Sequence, residues 1–250
     1  MMINHKIIRS KMKKTGALLG HPILANHVPK TVWCNLQNLH KMISLFRVIY
    51  VKPDAGHQGH RVFRVHRINE HEGVLSSQNA SRKIALPGGL TELLPIISKN
   101  QYIIQQGIDL ATLNNRPFDI RVIMQKPYAT WELTLTSAKV ALKEDAVVTN
   151  VARGAEDYPL NHILQVYDQK QDPMATLREI VDLAHQMAGY LSTKFPLRII
   201  GFDLALDKKG KVWFIEANTW PQCARCKLVN DKVSRRKYER SSKIMGFKDN

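Results

Sequence analysis

The chain has 250 residues, 44% of them hydrophobic, and a formal net charge of +16. That is enough apolar material for one large domain or two lobes, and no apolar run is long enough to span a bilayer as a helix. The basic start, MMINHKIIRSKMKK, lacks the apolar core of a secretory signal, so a cytoplasmic protein is expected. Cys34, Cys223 and Cys226 are too few for a disulfide framework. The CxxC pair at Cys223 and Cys226 lacks the second pair a zinc ribbon needs, and the incidental reading outweighs a redox one.

Positive charge gathers at the start (Lys6, Arg9, Lys11, Lys13, Lys14) and in the tail (Lys227, Lys232, Arg235, Arg236, Lys237, Arg240, Lys243, Lys248). Nucleic acid, an anionic surface, nucleoside triphosphates and acidic peptides all suit such a chain. No zinc finger, RNA-recognition signature or basic zipper accompanies the tail, so it reads as a solvated helix face or a frayed end, and nucleic acid is not expected.

In chain order, Leu36, Leu39, Met42, Ile43 and Phe46 have helical spacing, with Pro29 and Thr31 as the helix start. Phe46 to Val51 reads as a strand ending in Lys52-Pro53, and Arg61 to Val65 as a second strand. The loop between them holds Gly56, His57, Gly59 and His60. It is no Walker loop, yet its backbone N–H groups suit phosphate, and Lys52 stands on the strand that enters it. The alternatives are turn geometry for the glycines and an edge-strand lysine. A short helix is expected after Gly88-Gly89, then strands at 102–107, 118–125, 131–142 and 146–151, the last ending in the corner Asn150-Val151-Ala152-Arg153-Gly154. Arg121 and Arg153 have the planar fork that matches phosphate oxygens.

Met174 to Lys194 is the clearest helix, with Asp172 at its N-cap, Pro173 at its first position and Leu177, Ile180, Val181, Ala184, Met187, Ala188 and Leu191 on its buried face. Two apolar runs then flank Asp207-Lys208-Lys209-Gly210, which predicts a β-hairpin. The hairpin brings Asp203 near Glu216 and Asn218, and period-two alternation puts the latter two on one side. Two carboxylates and an amide oxygen suit a hard cation such as Mg²⁺, against the alternative of a solvated hairpin end. Cys223 to about Met245 is expected to be helical, with the basic tail fraying.

Four strings in fixed order, YVKPDAGHQGHRVFRV, YIIQQGIDLATLNNRPFDIRVIMQK, TNVARGA and GFDLALDKKGKVWFIEANTWP, resemble the YheC/YheD family of endospore coat-associated ATP-grasp proteins. The opening KMKKTGALLGHPILANHVPKT is similar to that family's lead-in. The resemblance implies an α+β ATP-grasp fold at 6–250, with antiparallel sheets in a smaller nucleotide-clamping lobe (20–106) and a larger metal-bearing lobe (107–245). It implies phosphate contacts for Lys52 and Lys11, and closure of the Gly56–Gly59 loop over the triphosphate. Ile104, Gln105 and Gln106 would line the adenine and ribose pocket, partly through backbone. Arg121 would face the γ-phosphate or an acyl-phosphate, and Asn150 and Arg153 the acceptor side. Asp203, Glu216 and Asn218 would hold Mg²⁺.

The implied activity is an ATP-dependent carboxylate–amine ligase, with a peptide or spore-coat component among the candidate substrates, no membrane span, and a location in the cytoplasm or at the forming coat. Lys139 stands where the family often has arginine, and Ala155 where it often has glycine. These departures leave a nucleotide-binding coat protein without turnover as the alternative, and the basic tail leaves a binder of nucleic acid or of an anionic surface as a third.

Overall fold

Two antiparallel sheets, each with its own apolar core, face one another across a cleft. The computed structural model describes residues 5–56, 61–77, 80–98, 100–144, 146–147 and 154–247. The first part of the chain runs α1 (Lys11–Leu19), β1 (Thr31–Trp33), α2 (Leu36–Leu45), β2 (Val48–Pro53), β3 (Phe63–Arg67), β4 (Glu72–Ser76), β5 (Ser81–Ala85), α3 (Leu94–Ile97) and β6 (Tyr102–Gln106). The second runs β7 (Thr112–Leu113), β8 (Arg116–Gln125), β9 (Glu132–Val140), β10 (Glu156–Tyr158), α4 (Leu160–Val166), α5 (Pro173–Lys194), β11 (Ile199–Leu206), β12 (Val212–Asn218), α6 (Ala224–Leu228) and α7 (Lys232–Met245). The sheet orders are β1-β6-β2-β3-β4-β5 and β10-β9-β8-β11-β12, with β7 beside β8. This is the α+β architecture expected.

The smaller core packs Leu39, Met42 and Ile43 of α2 on Ile49, Val51, Val65 and Ile104. In the larger core, Phe118, Ile120, Val122 and Met124 of β8 and Phe202 and Leu204 of β11 meet Ile180, Ala184, Met187 and Leu191 of α5. Strand alternation then leaves Asp119, Arg121 and Asp203 on the opposite face, toward the cleft. Farther along that same face, Ile123, Leu135 and Ile199 are covered by Cys223, Cys226 and Tyr238 of the α6–α7 region.

Local chemistry sets the helix ends. Asp172 accepts hydrogen bonds from the Met174 and Ala175 amides at 2.8 and 3.1 Å, and Pro173 opens α5. Asn35 caps α2 by accepting from the Asn38 amide at 2.8 Å. The α2 start therefore differs from the expected Pro29–Thr31, because Thr31 pairs with Gln105 in β1. The face of α5 is turned slightly from the expected one: Leu183 is buried and Val181 only half-buried. The tail does not fray through its basic run, since α7 continues to Met245 and ends at Gly246 with φ 70°. Helices α1 and α4 and strands β4, β5 and β10 were not foreseen. Of the expected strand 146–151, residues 148–151 lie outside the described residues, and 146–147 form no strand.

Gly107 leaves β6 at the junction of the two halves, where its amide donates to Val48 O at 2.8 Å. A Cβ there would lie 2.6 Å from Val48 Cγ1 and 2.7 Å from Val48 Cβ. Gly107→Ala is expected to lower stability by about 1–3 kcal/mol. In urea unfolding, adding Val48→Ala should recover part of that loss, although Val48→Ala alone destabilises.

Candidate active site

The cleft is a cavity of about 1200 Å³ walled by both sheets. Its first wall is lysine-rich. Lys52 is buried on β2 and donates to Gln105 Oε1 on β6 at 2.7 Å and to Ile215 O on β12 at 3.5 Å. Gln105 Nε2 in turn donates to Thr31 Oγ1 (3.3 Å) and Ile215 O (3.4 Å), so one side chain links β1, β2 and β12. Lys11 donates to Gly56 O at 2.9 Å and pairs with Glu216 Oε1 at 3.3 Å. Asp54 holds the start of α1 in place: its Oδ1 accepts from the Met12 amide (2.7 Å) and its carbonyl from the Lys11 amide (2.9 Å). Lys14, also buried, donates to Ile8 O at 2.6 Å.

The opposite wall carries the acids. Asp203 stands across from Arg121 on β8 and from Glu216 on β12 in the strand register. Arg121 grips Asp203 with two bonds, Nε to Oδ1 at 2.6 Å and Nη2 to Oδ2 at 3.1 Å. Lys139 Nζ on β9 bridges Asp203 Oδ1 (2.7 Å) and Asp119 Oδ1 (2.9 Å). Ser137 donates to Asp157 at 2.8 Å beside them. Asn218 Oδ1 accepts from the Trp220 amide at 2.9 Å. That turn is anchored to the N-terminal segment: the Ile8 amide donates to Thr219 Oγ1 at 2.8 Å, and His5 Nε2 donates to Thr219 O at 2.7 Å.

The electrostatics of the two walls differ. Burial pushes Lys52 down to about 8, with Glu216 opposing and Lys11 reinforcing the shift. Burial also lowers Lys14 to about 8. Burial would raise Asp203, but Arg121 and Lys139 outweigh it and hold the carboxyl at about 2. Burial likewise works against the charge on Arg121 and Lys139, yet the carboxylates hold both above their ordinary values. The first wall is thus short of negative partners, while the second is internally neutralised.

Lys11, Lys52, Gly56, Gln105, Gln106, Arg121, Asp203, Glu216 and Asn218 all line this cavity. The side chain of Ile104 is buried in the smaller core with Ile49 and Val51, because alternation on β6 turns it away when Gln105 faces the cleft, which leaves its backbone for the nucleotide side. Gly59, His57, His60, Asn150 and Arg153 lie outside the described residues. Lys14, Asp54, Asp119 and Asp157 were missed. Asp119 alone had a signal, two positions before Arg121 on the same strand face.

Among the described residues no group of three or more His, Cys, Asp and Glu is placed to hold a metal ion. Two carboxylates and one amide oxygen share the end of the β11–β12 hairpin, however: Asp203 opposes Glu216, and Asn218 opposes Gly201. This hard-oxygen set fits Mg²⁺ shared with phosphates, which needs few protein ligands.

The YheC/D like ATP-grasp family profile matches residues 1–243. The chain belongs to this family. It is 24% identical over 195 residues to the endospore coat-associated protein YheD of Bacillus subtilis (strain 168), covering 75% of this chain and 42% of that protein. It is 20% identical over 209 residues to YheC of the same organism, covering 82% of this chain and 57% of that one. The chain therefore spans about half the length of these relatives. A structure of the ATP-grasp ligase PsnB, complexed with a phosphomimetic variant of minimal precursor, Mg and ADP, superposes with a TM-score of 0.54 at 13% identity. That match covers 94% of this chain and 59% of PsnB and shows a shared fold.

The two lowered lysines make anion binding pH-dependent. A polyphosphate in the cleft would raise both from about 8, so binding takes up protons, and affinity declines as pH climbs above 8. Titration calorimetry in buffers of different ionisation enthalpy should show that uptake, reduced in Lys52→Met. Without ligand the sign reverses for stability. A lysine near 8 when folded and 10.5 when unfolded contributes stability that grows between those values.

Proposed function

We propose that the chain is an ATP-dependent carboxylate–amine ligase working through an acyl-phosphate. The observation that supports this most is the facing of Lys11 and Lys52 with Glu216 and Asp203 across one cleft, where burial disfavours the charge on Lys52 and Lys11 is paired with Glu216. In this reading Lys52 and Lys11 bind the phosphates, with Gly56 at the base of the covering loop. Gln105 and Gln106 flank the nucleotide, with Ile104 contributing backbone alone. Asp203, Glu216 and Asn218 would hold Mg²⁺, which when bound would neutralise charge on the phosphate oxygens.

A substrate carboxylate attacks the γ-phosphorus, the bond to the bridging oxygen breaks, and ADP leaves. An amine then attacks the acyl carbon and expels phosphate. Arg121 stabilises the charge on the transferring group, and Lys139 holds Arg121's partner Asp203 in place. Asn150 and Arg153 are assigned to the acceptor side on sequence alone. In this reading the lobes divide at about 106, the substrate is a peptide or spore-coat component, and the protein works in the cytoplasm or at the forming coat; the relatives' names support only the association with the coat.

A second reading, nucleotide binding without turnover, draws on Asp203, whose two oxygens are already held by Arg121 and Lys139. Calorimetry with a non-hydrolysable ATP analogue separates these ideas from the absence of a nucleotide site. The parent should bind only with Mg²⁺, and Glu216→Ala should weaken binding about 100-fold, equivalent to about 2.8 kcal/mol. Equal binding by Glu216→Ala would remove the metal assignment. Binding with no ADP release across a broad panel of carboxylates and amines would favour the second reading.

A further inference from the structure

Helix α7 presents a strongly basic surface that the cleft chemistry does not use. Tyr238, Ser241, Ser242 and Met245 are its buried residues, while Lys232, Arg235, Arg236, Arg240 and Lys243 are exposed. At 100° per residue Lys232, Arg236, Arg240 and Lys243 fall on the side away from the buried face and Arg235 on its flank beside Ser242, with Glu239 the one acid among them. The helix is held along its length. Tyr238 packs against Ile123 and Leu135, and Gln125 Nε2 donates to Ser242 Oγ at 2.8 Å. Asn230, just before α7, donates to Thr136 O and Cys226 O at 2.7 Å each. The charge is therefore presented on a rigid support.

Its position connects it to the site. Helices α6 and α7 cover the Ile123–Leu135–Ile199 end of the sheet face whose other end carries Arg121 and Asp203. Arg225 of α6 is exposed and lines the cavity. Leu228, between Arg225 and α7, and Val233, next to Lys232, are 77% and 76% exposed. Cations and two exposed apolar residues thus follow one another along α6 and α7, and the first of them, Arg225, reaches the cavity wall.

We propose that this track docks an acidic polypeptide segment and leads it toward the cleft. Charge complementarity requires an anionic partner. The exposed face of α7 offers no aromatic side chain on which a base could stack, as single-stranded nucleic acid binding uses, and Leu228 and Val233 offer apolar contact that a phosphodiester chain does not need. A bilayer cannot follow the track into the cavity, whereas an extended peptide can. Helix α7 has 14 residues; its length of about 21 Å would accommodate about six extended residues. That the docked segment carries the reacting carboxylate rests on the ligase reading above; the docking itself does not.

Fluorescence anisotropy on the full chain tests this with a labelled oligoglutamate peptide containing a leucine pair. An oligothymidylate of equal charge and phosphatidylserine-containing vesicles serve as competing probes. The parent should bind the peptide more tightly than either alternative. The triple variant Arg235→Glu, Arg236→Glu, Arg240→Glu should bind it about tenfold more weakly or worse. An equal charge reversal elsewhere, Lys41→Glu, Lys83→Glu, Lys209→Glu, should retain affinity. Leu228→Ser with Val233→Ser should weaken peptide but not oligothymidylate binding. If thermal melting shows that the glutamate triple does not fold, the corresponding glutamine triple replaces it. Unchanged peptide affinity in the α7 triple, an equal loss in the control, or tighter α7-dependent binding of oligothymidylate or vesicles would overturn the proposal. ATP-analogue binding, measured on the same variants, should not change. Peptide docking without any nucleotide binding would remove the ligase reading and leave the docking surface standing.

Discussion

The buried ion network around Asp203 is the interaction on which the rest of the cleft depends. One carboxylate on β11 receives Arg121 from β8 and Lys139 from β9, and Lys139 reaches on to Asp119. Charges in such a position are costly unless paired and hydrogen-bonded. Here the pairing is close to complete, so three neighbouring strands are tied across the face that looks into the cavity. Alternation makes this possible, because the intervening residues of β8 and β11 are the apolar ones that hold α5. The same strands therefore build the larger core with one face and the polar wall with the other.

The facing wall is built on a different principle. Lys52 and Lys14 are buried and satisfied chiefly by neutral oxygens, Gln105 Oε1 for one and Ile8 O for the other. Burial disfavours their charge and Glu216 offsets this only in part, so a polyanionic ligand would add to what Glu216 supplies. Thr219 and His5 take no direct part in that balance, and Asp54 takes a small one, its charge working against the lowering of Lys14. They join the N-terminal segment, the end of β2 and the turn after β12, so that lysines and acids distant in sequence meet across a defined gap. Lysine at 139 is consistent with this arrangement: a single ammonium can bridge two carboxylates as a point charge, without the planar fork that arginine would bring.

The strongly periodic parts of the molecule were legible without coordinates. Helix α5 has its cap and its apolar stripe in the sequence, and the hairpin of β11 and β12 has its turn residues. Alternation placed Glu216 and Asn218 on one side before Asp203 was seen opposite Glu216. Alternation was equally able to show that Ile104 must point away from a cleft that Gln105 faces. Strand β5 was overlooked because its exposed edge is polar, as in Ser81-Arg82-Lys83, and a polar edge strand resembles a loop. The break between α6 and α7 was missed because Asn230 acts through the strand beneath it.

By itself the sequence determined the strongly periodic elements, the family, and the residue kinds that meet at the hairpin mouth, since these follow from local periodicity, turn chemistry and motif order. Only the tertiary structure decided which charges are paired. Whether Asp203 is free for a cation or held by Arg121 and Lys139, and whether Lys52 finds an anion or an amide oxygen, depends on strand register across residues up to 163 positions apart. Burial then decides how strongly each charge is felt, and burial is a property of the packed whole.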